Sequence, residues 1–377
     1  MKKIKIYTNQ ILVLVKIYLF KFLSLVFVHS EFWVICERGT DARDNGYHFY
    51  NYIKKFHPEM KVYYIIDKDS PDYYRVKSDA VHYGSLKNYW IVASAEKIIS
   101  SHYGTVIPNL NPRLFKLTKL YKKYYFLQHG IIKDKLVTLF GDVAPMKLFI
   151  CGAKPEFEYV LKNFKHKKNV VKYTGLARFD NLYNCNKKKQ ILIMPTWRSY
   201  IKSETDFLDS TYYKCWQNVI TNKKIIDLLI QKDYQLIFYP HYEIQKYIHH
   251  FFTVNNRVIL ADLKNFDVQN LLKESMLLIT DYSSVYFDFA YMNKPVVYYQ
   301  FDSDEFFEKH YNQGYFNYKI NGFGPVCEKY EDVVNEIIKY VNNNFEIEKK
   351  YALNIEKFFP LRDESNCERI YKEVVRS

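Results

Sequence analysis

Two histidines stand directly after apolar runs of strand length: YYFLQ (124–128) leads into His129-Gly130, and YQLIFYP (234–240) leads into His241. Imidazole titrates near neutrality, so it can take a proton from a hydroxyl or donate one to a phosphate oxygen. Gly130 lets backbone or ligand come close to the first; Pro240 stiffens the turn before the second, and Glu243 nearby opens a helix. Alone, either histidine reads as a hydrogen-bonded structural residue, but a pair at matched strand ends in two halves of the chain favours chemistry. A third run, MLLIT (276–280), is followed by Asp281-Tyr282-Ser283-Ser284 and a helical stretch containing Asp288. Serines at a helix start are ordinary caps. The same N-terminus, with its N–H groups and two hydroxyls, is also an anion site, and the formal net charge of +14 favours that reading. QILIMP (190–195) ends in Thr196-Trp197-Arg198, where an arginine can hold phosphate oxygens bidentately or stand solvated at the surface. After the first strand, Glu37-Arg38-Gly39 and Ala42-Arg43-Asp44-Asn45-Gly46 form a charged loop that lines a binding site or caps a helix.

These residues need a scaffold that brings strand ends together. Short β-rich runs alternate with helical stretches, the pattern of parallel sheets with crossover helices. The first half offers 32–36, 61–66, 97–100, 124–128 and 147–151 as strands; the second offers 190–195, 234–240, 257–260, 276–280 and 295–299. In open α/β sheets, ligands sit beyond the carboxyl ends of strands, which is where every residue singled out above falls. A chain of 377 residues exceeds one ordinary core. The expected organisation is α/β with two Rossmann-like domains facing a cleft, at 31–186 and 187–377, joined near the polar NCNKKK (184–189).

Residues 1–30 form a separate segment. ILVLVKIYLFKFLSLVFV (11–28) is nearly long enough to span a bilayer, but Lys16 and Lys21 interrupt it. Interfacial attachment is the expected arrangement, with the lysines snorkelling to anionic headgroups; a hydrophobic helix packed on the protein itself is the alternative. No small-residue cleavage site follows Val28, which argues against a signal peptide. Cys36, Cys151, Cys185, Cys215, Cys327 and Cys367 are scattered without a CxxC pair, so neither a zinc site nor a disulfide framework is expected, and a reducing cytoplasm fits. GxxxxGK[ST], GxGxxG after a strand, HExxH and GxSxG are all missing, leaving nucleotide triphosphate hydrolysis, dehydrogenase and serine-hydrolase chemistry unsupported.

The same residues carry a family resemblance. ERGTDARDNGYHFYNYIKKFHPE (37–59), LQHGIIKD (127–134), TGLARFDNL (174–182), MPTWR (194–198), YPH (239–241) and ITDYSSVYFDFAYMNKPVVYYQFD (279–302) together resemble the CDP-glycerol glycerophosphotransferases that build teichoic acids and related capsule polymers. The resemblance implies a GT-B fold with the donor held mainly by the carboxy-terminal domain. It implies His129 as catalytic base and His241 as a contact to the donor diphosphate. Gly130, Arg198, Asp281, Ser283, Ser284 and Asp288 fall in its donor-side motifs. Neither a metal nor another cofactor is called for. The implied partners are CDP-glycerol or a related CDP-alditol, a polymer or lipid-linked acceptor, and the cytoplasmic face of the bacterial membrane, where the protein would be peripheral. The chain holds little beyond the two domains, so adding one unit, priming and polymerising all stay open.

Two rivals remain. A GT-B enzyme using a nucleotide sugar shares the fold, and ribitol phosphate from CDP-ribitol shares the chemistry. A non-catalytic protein binding membrane or nucleic acid through its positive charge ranks last, because no helix-turn-helix, RRM or zinc-finger signature is present.

Overall fold

The computed structural model describes residues 2–27, 31–183, 186–309 and 313–377. The anticipated strands form two wholly parallel sheets. The first contains β1 (Trp33–Cys36), β2 (Val62–Ile66), β3 (Ala80–His82), β4 (Lys97–Ser100), β5 (Tyr124–Phe126), β6 (Leu148–Cys151) and β7 (Val171–Tyr173), in the order β3-β2-β1-β4-β5-β6-β7. The second contains β8 (Gln190–Ile193), β9 (Gln235–Phe238), β10 (Val258–Leu260), β11 (Leu277–Thr280), β12 (Val296–Tyr299) and β13 (Val326–Cys327), in the order β10-β9-β8-β11-β12-β13. Runs such as WVIC, LFIC and LLIT are buried at every position. That is why they read as continuous apolar segments rather than alternating ones, since parallel strands are covered on both faces.

Both orders reverse direction once, between β1 and β4 in the first sheet and between β8 and β11 in the second. A doubly wound sheet leaves a crevice outside its carboxyl edge at that reversal. The residues following β1 and β4, and those following β8 and β11, therefore flank each sheet's natural ligand site.

The chain divides into two compact units: residues 1–131, 136–181 and 361–377 in one, and 132–135 and 182–360 in the other. The anticipated boundary starts on Asn184 and Cys185, which lie outside the described residues. The division expected at 31–186 and 187–377 differs in that Leu361–Ser377 belongs with the first unit, while 132–135 and Leu182–Pro360 belong with the second. The closing helix Asn366–Arg376 buries Cys367, Ile370 and Val374, a stripe at helical spacing, in the first unit's core with Phe49 and Ile53. Its start is fixed by Asp180, whose carboxylate accepts the backbone N–H groups of Asn366 and Cys367, each at 2.8 Å.

The amino-terminal helix Lys2–Phe27 docks on the first unit along one side only. Val13 and Ile17 are buried, and Phe20 meets Trp90 edge to face. Gln10 Oε1 accepts from Asn111 N at 2.7 Å, and Lys21 Nζ donates to the Thr118 carbonyl at 3.1 Å. The other side is an exposed apolar stripe of Ile11, Leu12, Val15, Leu19, Phe22 and Val26. By length and composition, Thr8–Val26 could cross a membrane; its docked face, however, is already committed to protein.

Candidate active site

In the first unit the site is built from the ends of β1, β4 and β5. Glu37, fully buried after β1, accepts backbone N–H groups from Asp44 (3.0 Å), Tyr47 (2.8 Å) and Arg43 (3.1 Å). Burial raises its carboxyl pKa, the neighbouring Asp44 adds to the rise, and the three amide donors oppose it. Glu37 thus ties the first turn of helix Asn45–Phe56 to the sheet edge, while Ser101 Oγ, after β4, accepts from Gly46 N at 2.9 Å. The charged loop that sequence left between two roles caps and anchors this helix. A Cβ on Gly46 would sit 2.9 Å from Glu37 Cγ, so only glycine lets the turn lie this close.

His129 follows β5 across an unusual residue. Gln128 has a left-handed backbone, φ 62°, which for a non-glycine costs about 1–3 kcal/mol. Its surroundings hold it there: Gln128 Nε2 donates to the Ile150 carbonyl and to Glu156 Oε1 (3.1 Å), and Asn45 Nδ2 donates to the Gln128 carbonyl at 2.8 Å. The His129 carbonyl accepts from Arg178 Nη1 at 2.8 Å, and the same nitrogen lies 2.8 Å from Asp44 Oδ1. The Ser101 backbone favours the protonated form of the His129 ring. Although part of His129 is open to solvent, desolvation by the packed surroundings lowers its pKa; Asp44 pulls upward, and Arg38 and Arg178 pull downward. The ring is stacked on that of His102, with centroids 4.6 Å apart and planes 13° off parallel. Gly130 is buried immediately after it.

In the second unit, β8 and β11 are joined by a buried ionic knot. Arg198 is fully buried and bidentate to Asp302, with Nε 2.7 Å from Oδ2 and Nη2 3.0 Å from Oδ1. Its Nη1 donates to the Thr196 carbonyl at 2.9 Å and lies 2.9 Å from Asp281 Oδ2. Asp281 Oδ1 accepts from Thr196 N (2.8 Å) and Tyr282 N (2.6 Å). The guanidinium is walled by Tyr212, Tyr282, Phe301 and Phe306. The expectation of an arginine holding phosphate, or standing in solvent, therefore meets a different geometry. Arg198 spends its donors on two carboxylates and a carbonyl, and with Asp281 it fixes the turns on either side of the sheet's reversal.

That turn leads through half-buried Ser283 and Ser284 into helix Val285–Tyr291. Ser284 makes no side-chain capping bond, so the ordinary cap role is not what occupies its hydroxyl. Asp288 is buried in the same helix. His241, after β9, caps the short helix Tyr242–Gln245 by accepting from Glu243 N through Nδ1 at 3.3 Å. A neutral ring accepting at Nδ1 carries its proton on Nε2, as a donor. Trp197, from the turn after β8, stacks against it at 6.1 Å.

Sequence reasoning singled out His129, His241 and the serine turn but passed over His102, Arg178 and Asp302. His102 was reachable by the same rule as the others, since it stands two residues past β4. Arg178 and Asp302 owe their places to tertiary pairing with Asp44 and Arg198. At the surface, Glu204, His249 and His250 bring three potential metal-ligand atoms within 4.8 Å of one another, which sequence spacing did not suggest. His250 Nε2 lies 2.5 Å from Glu204 Oε1, as in an ion pair.

Two Rossmann-like units, each with polar groups gathered at the reversal of its sheet, define a GT-B-type protein. The likeness to solved structures agrees: wall teichoic acid polymerase TagF matches with a TM-score of 0.66 over 100% of this chain and 97% of that one, at 18% identity. UDP-GlcNAc 2-epimerase of Methanocaldococcus jannaschii matches with a TM-score of 0.53 over 92% and 100%, at 9% identity. The chain belongs to the CDP-glycerol:poly(glycerophosphate) glycerophosphotransferase family, whose model matches residues 18–376. It is 34% identical over 367 residues to the minor teichoic acid biosynthesis protein GgaB of Bacillus subtilis, covering 93% of this chain and 40% of that protein. It is 30% identical over 278 residues to the teichoic acid glycerol-phosphate primase of the same species, covering 67% of each. The chain thus spans well under two thirds of the first relative's length.

Proposed function

We propose that this protein transfers glycerol phosphate from CDP-glycerol to a hydroxyl of a teichoic-acid-like or capsular acceptor, releasing CMP. The observation that carries this reading is His129: an imidazole at the carboxyl end of β5, the strand beside β4 at the sheet's reversal, stacked on His102 and with a pKa held below the ordinary value. Family membership supplies the donor class, and a histidine variant of TagF has been solved with CDPG. In the reaction the acceptor oxygen bonds to the glycerol-bearing phosphorus. The bond from that phosphorus to the bridging oxygen breaks, and CMP leaves with the electron pair. His129 takes the acceptor's proton. His241, with Nε2 as donor, and the Ser283-Ser284 turn hold the diphosphate, where charge develops on the leaving group. Arg198, Asp281 and Asp302 keep that turn in place. Offering CDP-glycerol, CDP-ribitol and UDP-sugars separately tests the assignment. CMP from CDP-glycerol is expected; UDP from a sugar donor with no CMP would replace this reading by sugar transfer.

The base role has a pH signature. kcat/KM should rise through an acidic limb whose midpoint lies below the ordinary histidine value of about 6.5. Arg38 disfavours the imidazolium, so Arg38→Gln raises the His129 pKa and moves the limb to higher pH. An unmoved limb in a full pH–rate profile would mean that another group sets it.

The exposed stripe of the amino-terminal helix is read as a peripheral attachment to the cytoplasmic membrane face. Lys21 lies near enough to Lys119 and Lys122 for their charges to lower its pKa, after the larger effect of burial, so basic groups flank the stripe as anionic lipid would require. Replacing Leu19 and Phe22 together with glutamate removes two exposed anchors, each worth about 1.5–3 kcal/mol when buried. Binding to phosphatidylglycerol vesicles in a sedimentation assay should fall at least tenfold, with folding unchanged because neither side chain packs inward.

A further inference from the structure

On the surface of the second unit, two segments far apart in sequence bring nitrogen and oxygen ligands to one point. Glu204 opens helix Glu204–Asp209, and His249 and His250 close the single turn Ile248–His250. Glu204 Oε1 lies 2.5 Å from His250 Nε2 and 3.9 Å from His249 Nε2, and the three ligand atoms fall within 4.8 Å of one another. The two imidazoles lie side by side, with ring centroids 4.0 Å apart. Both segments are held in place before any ligand arrives. Buried Phe207, in the same helix as Glu204, stacks on Tyr247 (4.8 Å) and meets Phe251 edge on. The His250 carbonyl accepts from Tyr213 Oη at 3.0 Å, while Gln217 exchanges two hydrogen bonds with the Phe252 backbone, at 2.9 and 3.1 Å. Ser203 and Asp206 cap the helix reciprocally, Asp206 N donating to Ser203 Oγ (3.1 Å) and Ser203 N to Asp206 Oδ2 (3.0 Å).

We propose that Glu204, His249 and His250 bind one divalent transition cation of the zinc type, which clamps the segment after β8 to the segment after β9. A surface ion pair accounts for Glu204 and His250. It leaves His249 unexplained: two stacked imidazoles repel each other if both are protonated, whereas as neutral rings they offer a shared cation two nitrogen lone pairs beside a carboxylate. Imidazole nitrogen with one carboxylate oxygen suits zinc, while calcium and magnesium take oxygen ligands. Tetrahedral bonds of about 2.0–2.1 Å place ligand atoms about 3.3 Å apart. The observed 2.5 and 3.9 Å bracket that spacing. Glu204 and His249 have side chains 60% and 63% exposed, so a small rotation closes the set without moving the backbone. His250 Nε2 gives up the proton it shares with Glu204, to solvent or to Nδ1, and the cation takes that place. Three protein ligands leave the fourth position to water. Cysteine takes no part, so the scattered cysteines carried no sign of this site. The clamp is separate from the transfer chemistry, since none of its ligands lies in the strand-end turns that carry Trp197, His241 and Ser283.

The test uses the full chain without a histidine tag, stripped with EDTA and dialysed. Titrated with zinc chloride in a calorimeter, it is expected to bind one equivalent that excess magnesium does not displace, and cobalt(II) in its place should give the visible absorption of a tetrahedral site. Loss of an outer-shell partner alone costs a metal site about 10–100-fold in affinity, so Glu204→Gln and His249→Phe should each weaken this equivalent by about a hundredfold or more. Glutamine still accepts from His250, and both positions are exposed, so folding is retained. Saturating zinc should also raise the urea midpoint of the unchanged protein and leave both variants where they are, because an ion held by the folded segments and not by the unfolded chain stabilises the fold. An equivalent that survives both variants belongs to other histidines and would overturn the assignment, as would the lack of any saturable equivalent. Binding that disappears in the variants but never moves the midpoint of the unchanged protein would overturn the clamp.

Discussion

His129→Asn is expected to lower kcat for transfer by about 10²–10⁴-fold, the range that a positioned general base contributes, with little change in donor KM. The His129 main chain is held independently of its ring, through Arg178 and the Gln128 turn. The variant should therefore fold and bind while lacking only the group that accepts the proton. The effect should be nearly flat in pH, because the titrating group has gone. A variant that keeps the acidic limb would show that the limb belongs to another residue and that His129 positions rather than reacts.

Arg198→Leu is expected to destabilise the protein by about 3–5 kcal/mol, the cost of breaking a buried ion pair from one side. Asp281 and Asp302 are nearly sealed from solvent, and the guanidinium is the cation between them. Burial already pushes the Asp281 carboxyl upward in pKa, and Arg198 is the largest influence opposing it. Leucine leaves two carboxylates facing one another among Tyr212, Tyr282 and Phe306. Lysine should rescue poorly, because an ammonium cannot reproduce the bidentate pairing with Asp302. Urea unfolding should show the midpoint falling in both variants, further in leucine. Surviving protein should lose donor affinity, since the Asp281-Tyr282-Ser283 turn hangs on this knot. A change within about 0.5 kcal/mol would show that the pair merely breaks even with an apolar core.

The central strands were legible because parallel strands covered on both faces are written as unbroken apolar runs. β3, β7 and β13 were not, and all three are edge strands of two or three residues, too short to carry a period. The return of Asn366–Arg376 to the first unit was equally hidden: its stripe of Cys367, Ile370 and Val374 suits either core, and Asp180 decides the matter from far away in sequence. At the site, the strand-end rule found His129 and His241 and would have found His102. It could not foresee that Gln128 turns left-handed, because glutamine has no local reason to do so; the bonds from its side chain and from Asn45 impose it. Nor could it tell a phosphate-binding arginine from a buried one, since that depends on Asp302 lying 104 residues away.

The most direct test of the account is to incubate the purified protein with CDP-glycerol and a phosphoglycerol-primed lipid acceptor, following CMP and acceptor mass together. One CMP is expected for each glycerol phosphate unit gained by the acceptor, with both dependent on the acceptor and both lost in His129→Asn. CMP release with free glycerol phosphate and no growth of the acceptor, or growth undiminished in His129→Asn, would contradict it.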